Sequence, residues 1–140
     1  MQFSTVILAL ASTMAVSAAE TLFKVTDFSA TCIPHSSQCV YSFNVIQPGT
    51  METTPVKCSK SATSDGTLPV ILDGTCTNSS RTWTVSKTAE GLILKVTQRV
   101  TPSSTQSAEH TIPSAQVVKS QTGASSQEAY TGPAAFDLTY

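Results

Sequence analysis

Charged residues are scarce in this chain. Of 140 residues, eight are Lys or Arg and nine are Asp or Glu, which leaves a formal net charge of −1. Proteins that bind nucleic acids concentrate basic side chains against the phosphates, so this composition argues against a nucleic-acid partner. Beyond the N-terminal segment, no apolar run reaches the roughly 20 residues that span a bilayer. We therefore expect no membrane insertion of the rest of the chain.

The sequence also lacks any stretch of helical length with apolar residues spaced three to four apart. Its dominant period is two: Tyr41, Phe43 and Val45 alternate with polar residues, and Trp83 and Val85 do the same. At least seven short strands separated by turns indicate an all-β fold. We predict a small antiparallel β-barrel or β-sandwich stabilised by two disulfides.

Turn residues divide the chain between these strands. Glu90-Gly91 predicts a hairpin, Asp73-Gly74 predicts a second tight turn, and Pro55 favours an edge position for its strand. Two stretches rich in Ser and Thr, 59–67 and 102–107, are typical of exposed loops. The predicted strands are 22–28, 39–46, 53–58, 69–72, 81–87, 92–100, 107–112 and 134–140.

Residues 1–19 have the pattern of a signal peptide. Apolar residues at 6–16 are followed by Ser17, Ala18 and Ala19, just before Glu20. Small residues in this arrangement are typical of a cleavage site, which we place after Ala18 or Ala19. A membrane anchor is the alternative, but the run is short and interrupted by Ser and Thr. We expect residues 20–140 to form a single secreted domain.

The four cysteines all follow the predicted cleavage site. An even number of cysteines in an exported chain predicts disulfides rather than free thiols, and the spacing expected of a zinc site is absent. Four cysteines allow three connectivities, and the sequence does not choose among them. We favour Cys32–Cys39, which would close a turn between two predicted strands, and Cys58–Cys76, which would join two later strands.

No residue set in the sequence encodes a reaction. His35 and His110 are the only two histidines, and no nucleophile motif accompanies either of them. Asp65, Asp73 and Glu90 occupy predicted turns, where acids are ordinary. We predict no catalytic residue, no metal site, no cofactor and no enzymatic activity.

Two further features could bear on function. Trp83 and the other aromatic residues could line a ligand pocket, although alternation on strands favours an ordinary core position. Asn78-Ser79-Ser80 is an N-glycosylation sequon directly after Cys76, in a predicted loop. We expect Asn78 to be glycosylated; the alternative is a plain polar turn.

Several segments together resemble a family of small secreted fungal proteins. The opening, residues 23–43, carries the first two cysteines; the Trp83 strand, the Gly91-Leu-Ile-Leu run, His110-Thr-Ile-Pro113 and residues 130–136 follow. In these features the chain is similar to the Alternaria major-allergen family and to fungal elicitors of the plant hypersensitive response. That allergen has a further cysteine used in dimer formation, which this chain lacks.

The resemblance implies a compact β-barrel or sandwich with two intrachain disulfides. It also implies a virulence-related effector or elicitor that acts in the host extracellular space by contact with a host protein or receptor, as a monomer rather than a disulfide-linked dimer. Exposed loops such as 33–38 and 59–67 would supply that contact. Two alternatives remain open, a small extracellular hydrolase and a β-barrel that carries a small apolar ligand.

Overall fold

The computed structural model describes residues 20–140, so the predicted signal peptide lies outside the described residues. These residues form ten strands and one short 3₁₀ turn, Ser114–Gln116. The strands are β1 (Thr21–Cys32), β2 (Gln38–Ile46), β3 (Val56–Thr63), β4 (Ile71–Thr75), β5 (Thr82–Thr88), β6 (Gly91–Thr101), β7 (Ser104–Pro113), β8 (Val117–Thr122), β9 (Ser125–Tyr130) and β10 (Phe136–Thr139).

The strands form one antiparallel sheet that curves into a nearly closed barrel, as the alternation predicts. The order around the barrel is β3-β2-β1-β10-β7-β6-β5-β4. A register shift divides β1: its first half pairs with β10, and Thr31 near its end pairs with Ala129 of β9. β8 pairs with the far side of β9. The end of the barrel that holds the β1–β2 loop (33–37) is called the upper end below.

The core confirms the predicted strand faces. Tyr41, Phe43 and Val45 are buried, as are Trp83 and Val85 on the opposite wall. The indole of Trp83 packs edge-on against the rings of Tyr41 and Phe43, with centroids 6.0 and 5.1 Å away. These side chains fill the centre of the barrel, which explains why their strands alternate so regularly.

The barrel closes where β3 and β4, the two strands at the ends of this spatial order, meet. The Cys58–Cys76 disulfide joins them, the Thr77 amide donates to the Lys57 carbonyl oxygen at 2.8 Å, and Lys60 Nζ lies 3.0 Å from Asp73 Oδ1. Cys58 and Cys76 also form the isolated bridge between the two strands. The second disulfide, Cys32–Cys39, closes the β1–β2 loop, so the structure contains both favoured pairs.

A partly buried ion pair anchors the long β2–β3 loop (47–55). The Arg81 guanidinium donates to both carboxylate oxygens of Glu52, at 2.8 and 2.7 Å. Arg81 is 5% exposed, and it also donates to Gln98 Oε1 at 2.9 Å and stacks 5.2 Å from the Phe23 ring centroid. The Gln47 amide donates to the same carboxylate at 2.8 Å, which ties the start of the loop to its middle.

Some predicted boundaries were wrong. Asp73-Gly74 is not a turn but lies within β4, at a register shift against β5. Glycine is needed at position 74 because a Cβ there would overlap the Trp83 indole. The strand predicted at 53–58 begins at Val56, after Pro55. Much of the two predicted loops is strand. Ser59 belongs to β3 and pairs with Ser42 of β2, and most of 102–107 belongs to β7. Their Ser and Thr side chains mark the exposed face of a strand rather than a loop.

Candidate recognition groove

Three segments meet at the upper end of the barrel and enclose a groove of about 550 Å³. They are the β1–β2 loop (33–37), the β3–β4 loop (64–70) and the beginning of β9 with the turn before it (124–127). The residues that line the groove are Ile33, His35, Ser36, Ser37, Ser64, Asp65, Gly66, Ala124, Ser125, Ser126 and Gln127. The first two segments overlap the predicted contact loops at 33–37 and 64–67, whereas residues 59–63 of the second predicted loop lie in β3.

The Cys32–Cys39 disulfide holds the first wall of the groove. Across its base, the Ile33 amide donates to the Gln38 carbonyl oxygen at 2.9 Å. His35 has a backbone φ of +57°, in the left-handed region, and its amide donates to Ser125 Oγ at 3.3 Å. This contact joins the first wall to the third, with the imidazole exposed beside the groove.

The second wall, the β3–β4 loop, is held by contacts with the core and with the two neighbouring walls. Leu68 is 1% exposed and inserts into the core, while its amide donates to Glu128 Oε1 at 2.8 Å. The Ser64 amide donates to the Ser37 carbonyl oxygen at 2.7 Å, and the Glu128 amide donates to the Gly66 carbonyl oxygen at 2.7 Å. The loop is therefore held in one arrangement before any partner binds, which reduces the entropy cost of recognition.

Asp65 gives the groove its charge. The Thr67 hydroxyl donates to its Oδ1 at 2.7 Å, and this hydrogen bond, together with one from the Thr67 amide, holds the pKa of the Asp65 carboxyl below its usual range. The lining includes no Lys or Arg. Its other side-chain groups are mainly hydroxyls, so the groove suits a partner that offers hydrogen-bond donors and is neutral or positively charged.

The structure separates the two histidines. His35 lines the groove, whereas His110 lies on β7, outside the lining. The His110 imidazole stacks on the ring of Phe136 with centroids 4.1 Å apart, and burial there lowers the pKa of His110. The two imidazoles therefore do not contribute to one site.

The candidate carboxylates are also dispersed. Asp65 is the one carboxylate in the lining, Asp73 pairs with Lys60, and Glu90 lies in the β5–β6 turn. Trp83 is 1% exposed and belongs to the core, where its indole N–H donates to the Thr75 carbonyl oxygen at 2.9 Å. Within residues 20–140, no group of three or more His, Cys, Asp or Glu could hold a metal ion.

The third wall, from the turn after β8 and the beginning of β9, is the part of the groove that sequence reasoning missed. Gln127 is 5% exposed, and its amide nitrogen donates to Thr122 Oγ1 at 2.7 Å across the hairpin. The Ser125 hydroxyl donates to Gln127 Oε1 at 3.2 Å. The dipeptide Gly123-Ala124 between two polar runs could have predicted the turn of this hairpin. Gly123 adopts a φ of +62°, a conformation typical of glycine in two-residue hairpin turns.

Comparisons with known proteins add no family assignment. No family model matches the chain, and no curated protein matches it. The two intrachain disulfides are typical of extracellular proteins. In the described part of the chain, no helix has the length and apolar character needed to cross a bilayer.

Proposed function

We propose that the protein is a secreted, fungal effector- or elicitor-like binding protein that acts through the groove at its upper end. It binds a host extracellular protein or receptor as a monomer, without catalysis, and thereby triggers or modulates plant defence. The observation that carries the proposal is the convergence of three fixed segments on one groove, two of which overlap the predicted contact loops.

The construction of the groove supports a role in recognition. The Cys32–Cys39 disulfide and the buried Leu68 keep its walls in place, while hydroxyls, one carboxylate and one imidazole remain at its surface. Rigid, polar loops on a closed β scaffold are a common way of presenting a binding surface. The resemblance to elicitor proteins and the extracellular type of disulfide bonding agree with this role.

Infiltration of oxidised protein comprising residues 20–140 into leaf tissue tests the proposal, with cell death and defence-gene induction as the readouts. We expect a response to the native protein and none to reduced, alkylated protein. Two substitutions in the groove, His35→Asn and Asp65→Asn, should together raise the dose required about tenfold, since contact residues dominate such interfaces. Asn tolerates the left-handed backbone of His35 and keeps an acceptor oxygen at position 65.

Glu109→Gln is the matched control, because Glu109 is an exposed carboxylate on β7 outside the groove. It should leave the dose unchanged. All variants must retain the native melting temperature for the comparison to hold. A lack of response to native protein in several plant hosts, or an equal response to the groove variant, would contradict the proposal.

We propose that Asn78 carries a glycan. It is exposed in the turn after Cys76, where its φ of +53° suits Asn. Protein secreted from a fungal host should therefore lose mass on treatment with peptide-N-glycosidase F. The variant Ser80→Ala, which destroys the sequon, should show no such loss; identical masses before and after treatment of the native protein would refute occupancy.

A further inference from the structure

The outer edge of β8 is available for pairing. β8 (Val117–Thr122) pairs with β9 and, among residues 20–140, with no other strand. Five of its six residues are exposed. The edge is also regular: the β8–β9 register has no bulge and β8 contains no proline. Such an edge is a ready template for another strand.

The hydrogen-bond pattern identifies which backbone groups face outward. The Thr131 amide donates to the Gln116 carbonyl oxygen at 2.7 Å, just before the β8–β9 ladder begins. Because bonded and non-bonded pairs alternate in an antiparallel ladder, Val118, Ser120 and Thr122 are the β8 residues that bond to β9. The N–H and C=O groups of Lys119 and Gln121 therefore point away from β9, as does the Val117 C=O, whereas the Val117 N–H already donates to the Ser114 carbonyl oxygen.

The two end strands of the barrel order, β3 and β4, are not left free in this way. Where β3 and β4 meet, the Cys58–Cys76 disulfide joins the strands and the Lys60–Asp73 ion pair spans them. Charged side chains and covalent closure are common protections against unwanted strand addition. β8 carries a single charged residue, Lys119, and neither kind of closure.

A cleft of about 260 Å³ adjoins β8 and gives the edge a possible source of specificity. Its lining includes Leu68 and Leu92, which are largely buried and form an apolar floor, and Val117 of β8 itself. Strand-addition sites combine main-chain hydrogen bonds along an edge with pockets for alternate side chains of the ligand. The cleft has the position and the apolar floor of such a pocket.

The charges beside the cleft indicate the character of the ligand. Lys87 lines it and makes no ion pair within the described residues. The carboxylate of Glu128, which also lines it, already accepts the Leu68 amide at 2.8 Å. Lys87 is therefore the charged side chain of the lining that no hydrogen bond or ion pair within residues 20–140 engages, and it complements an acidic group on an incoming segment.

We infer that the outer edge of β8 binds an extended peptide segment of a partner protein by strand addition. The segment places one apolar side chain in the cleft above Leu68 and Leu92 and an acidic residue against Lys87. This surface is separate from the groove, since β9 lies between β8 and β1 and the groove is on the β1 side. The inference does not depend on the proposed elicitor function.

Titration of ¹⁵N-labelled protein with synthetic peptides provides the test. The probes are blocked heptapeptides of threonine with one leucine and one glutamate at varied positions, and a matched set with lysine in place of glutamate. We expect the glutamate set to protect the amides of Lys119 and Gln121 from hydrogen exchange. The amides of Val118, Ser120 and Thr122 are already bonded and should not change, an alternation that binding elsewhere would not produce.

Three variants refine the test. Lys119→Pro removes one outward-facing donor without breaking the bonds to β9, and proline is tolerated at such edge positions. The fold should therefore be retained, while peptide affinity should fall about tenfold or more. Lys119→Ala keeps the backbone donor and should bind as the native protein does. Lys87→Glu should reverse the preference, so that the lysine peptides bind more tightly than the glutamate peptides.

Several results would overturn the inference. They are the absence of binding by every peptide, equal binding by Lys119→Pro and Lys119→Ala, and protection of the same amides in peptide-free protein that increases with protein concentration. The last result would assign the edge to a second copy of this chain. None of them bears on the leaf response, so a failure here and a failure of the proposed function are distinguishable.

Discussion

Glu52→Gln is expected to lower the free energy of unfolding by about 2 kcal/mol, below the range for a fully buried ion pair, because the Glu52 side chain is 22% exposed. The substitution leaves the Arg81 guanidinium, whose side chain is 6% exposed, without its counter-charge. Arg81 cannot turn to solvent without also giving up Gln98 and the ring of Phe23. Urea unfolding at neutral pH, followed by Trp83 fluorescence, measures the loss.

Two comparisons separate this effect from ordinary surface electrostatics. Asp73→Asn breaks the Lys60–Asp73 pair, in which the aspartate side chain is 79% exposed, and should cost less than about 1 kcal/mol. The double variant Glu52→Leu with Arg81→Met removes both charges and should be more stable than Glu52→Gln, because no buried charge is left unpaired. Equal losses for Glu52→Gln and Asp73→Asn would show that the Arg81 pair is not effectively buried.

The same pair predicts a pH dependence. The hydrogen bond from Arg81 holds the pKa of the Glu52 carboxyl below its ordinary value of 4.5. A carboxyl whose pKa is lower in the folded state stabilises the fold above its unfolded pKa, and this contribution is lost as pH falls through the folded pKa. Native protein should therefore lose stability below about pH 4.5, and Glu52→Gln should lose less over the same range.

Strands with alternating apolar and polar residues could be predicted from sequence, because the side chains on one face of each strand fill the barrel interior. Tyr41, Phe43, Trp83 and Val85 show this directly, since each inward position is apolar and each neighbour is polar or less buried. The disulfide pairs were favoured for the related reason that each joins predicted strands, Cys32–Cys39 across a turn and Cys58–Cys76 across a longer loop. Both inferences depend on local patterns that packing preserves.

β8 and β9 could not be predicted in this way. Five of the six β8 residues are exposed, and the one buried residue of β9 is the polar Gln127, so neither strand shows an apolar alternation. Their Ser, Gln and Lys content is typical of a loop. They fold as strands because each pairs with a neighbour, β9 with β1 and β8 with β9. The third wall of the groove and the free edge of β8 could not be predicted from the sequence for the same reason.

The role of Arg81 was missed for a different reason. It is in phase with Trp83 and Val85, which places it on the inward face of β5, but nothing local identified its partner. Glu52 lies in the loop after β2, and the contact arises only when the barrel brings that loop beside β5. A charged residue in phase with a buried face is the signal that could have been used, because such a residue requires a partner.

Removal of the Cys58–Cys76 disulfide has the second large expected effect. The double variant Cys58→Ala with Cys76→Ala should be destabilised by about 3 kcal/mol, as expected from the loop-closure entropy of a bridge whose cysteines are 18 residues apart. This bridge joins the two terminal strands of the barrel order, β3 and β4, where the ladder has a single bridge pair. The loss should therefore appear locally as faster amide exchange in β3 and β4.

The other disulfide provides the control and gives the opposite pattern. The double variant Cys32→Ala with Cys39→Ala should cost roughly 2.5 kcal/mol, since its cysteines are 7 residues apart. Because β1 and β2 are also joined by a long ladder, faster exchange should be confined to the β1–β2 loop, and β3 and β4 should stay protected. The closure of the barrel and the shape of the groove are then held by separate bridges. Equal protection of β3 and β4 in the two variants would show that the Lys60–Asp73 pair and the bridge backbone close the barrel without the Cys58–Cys76 bond.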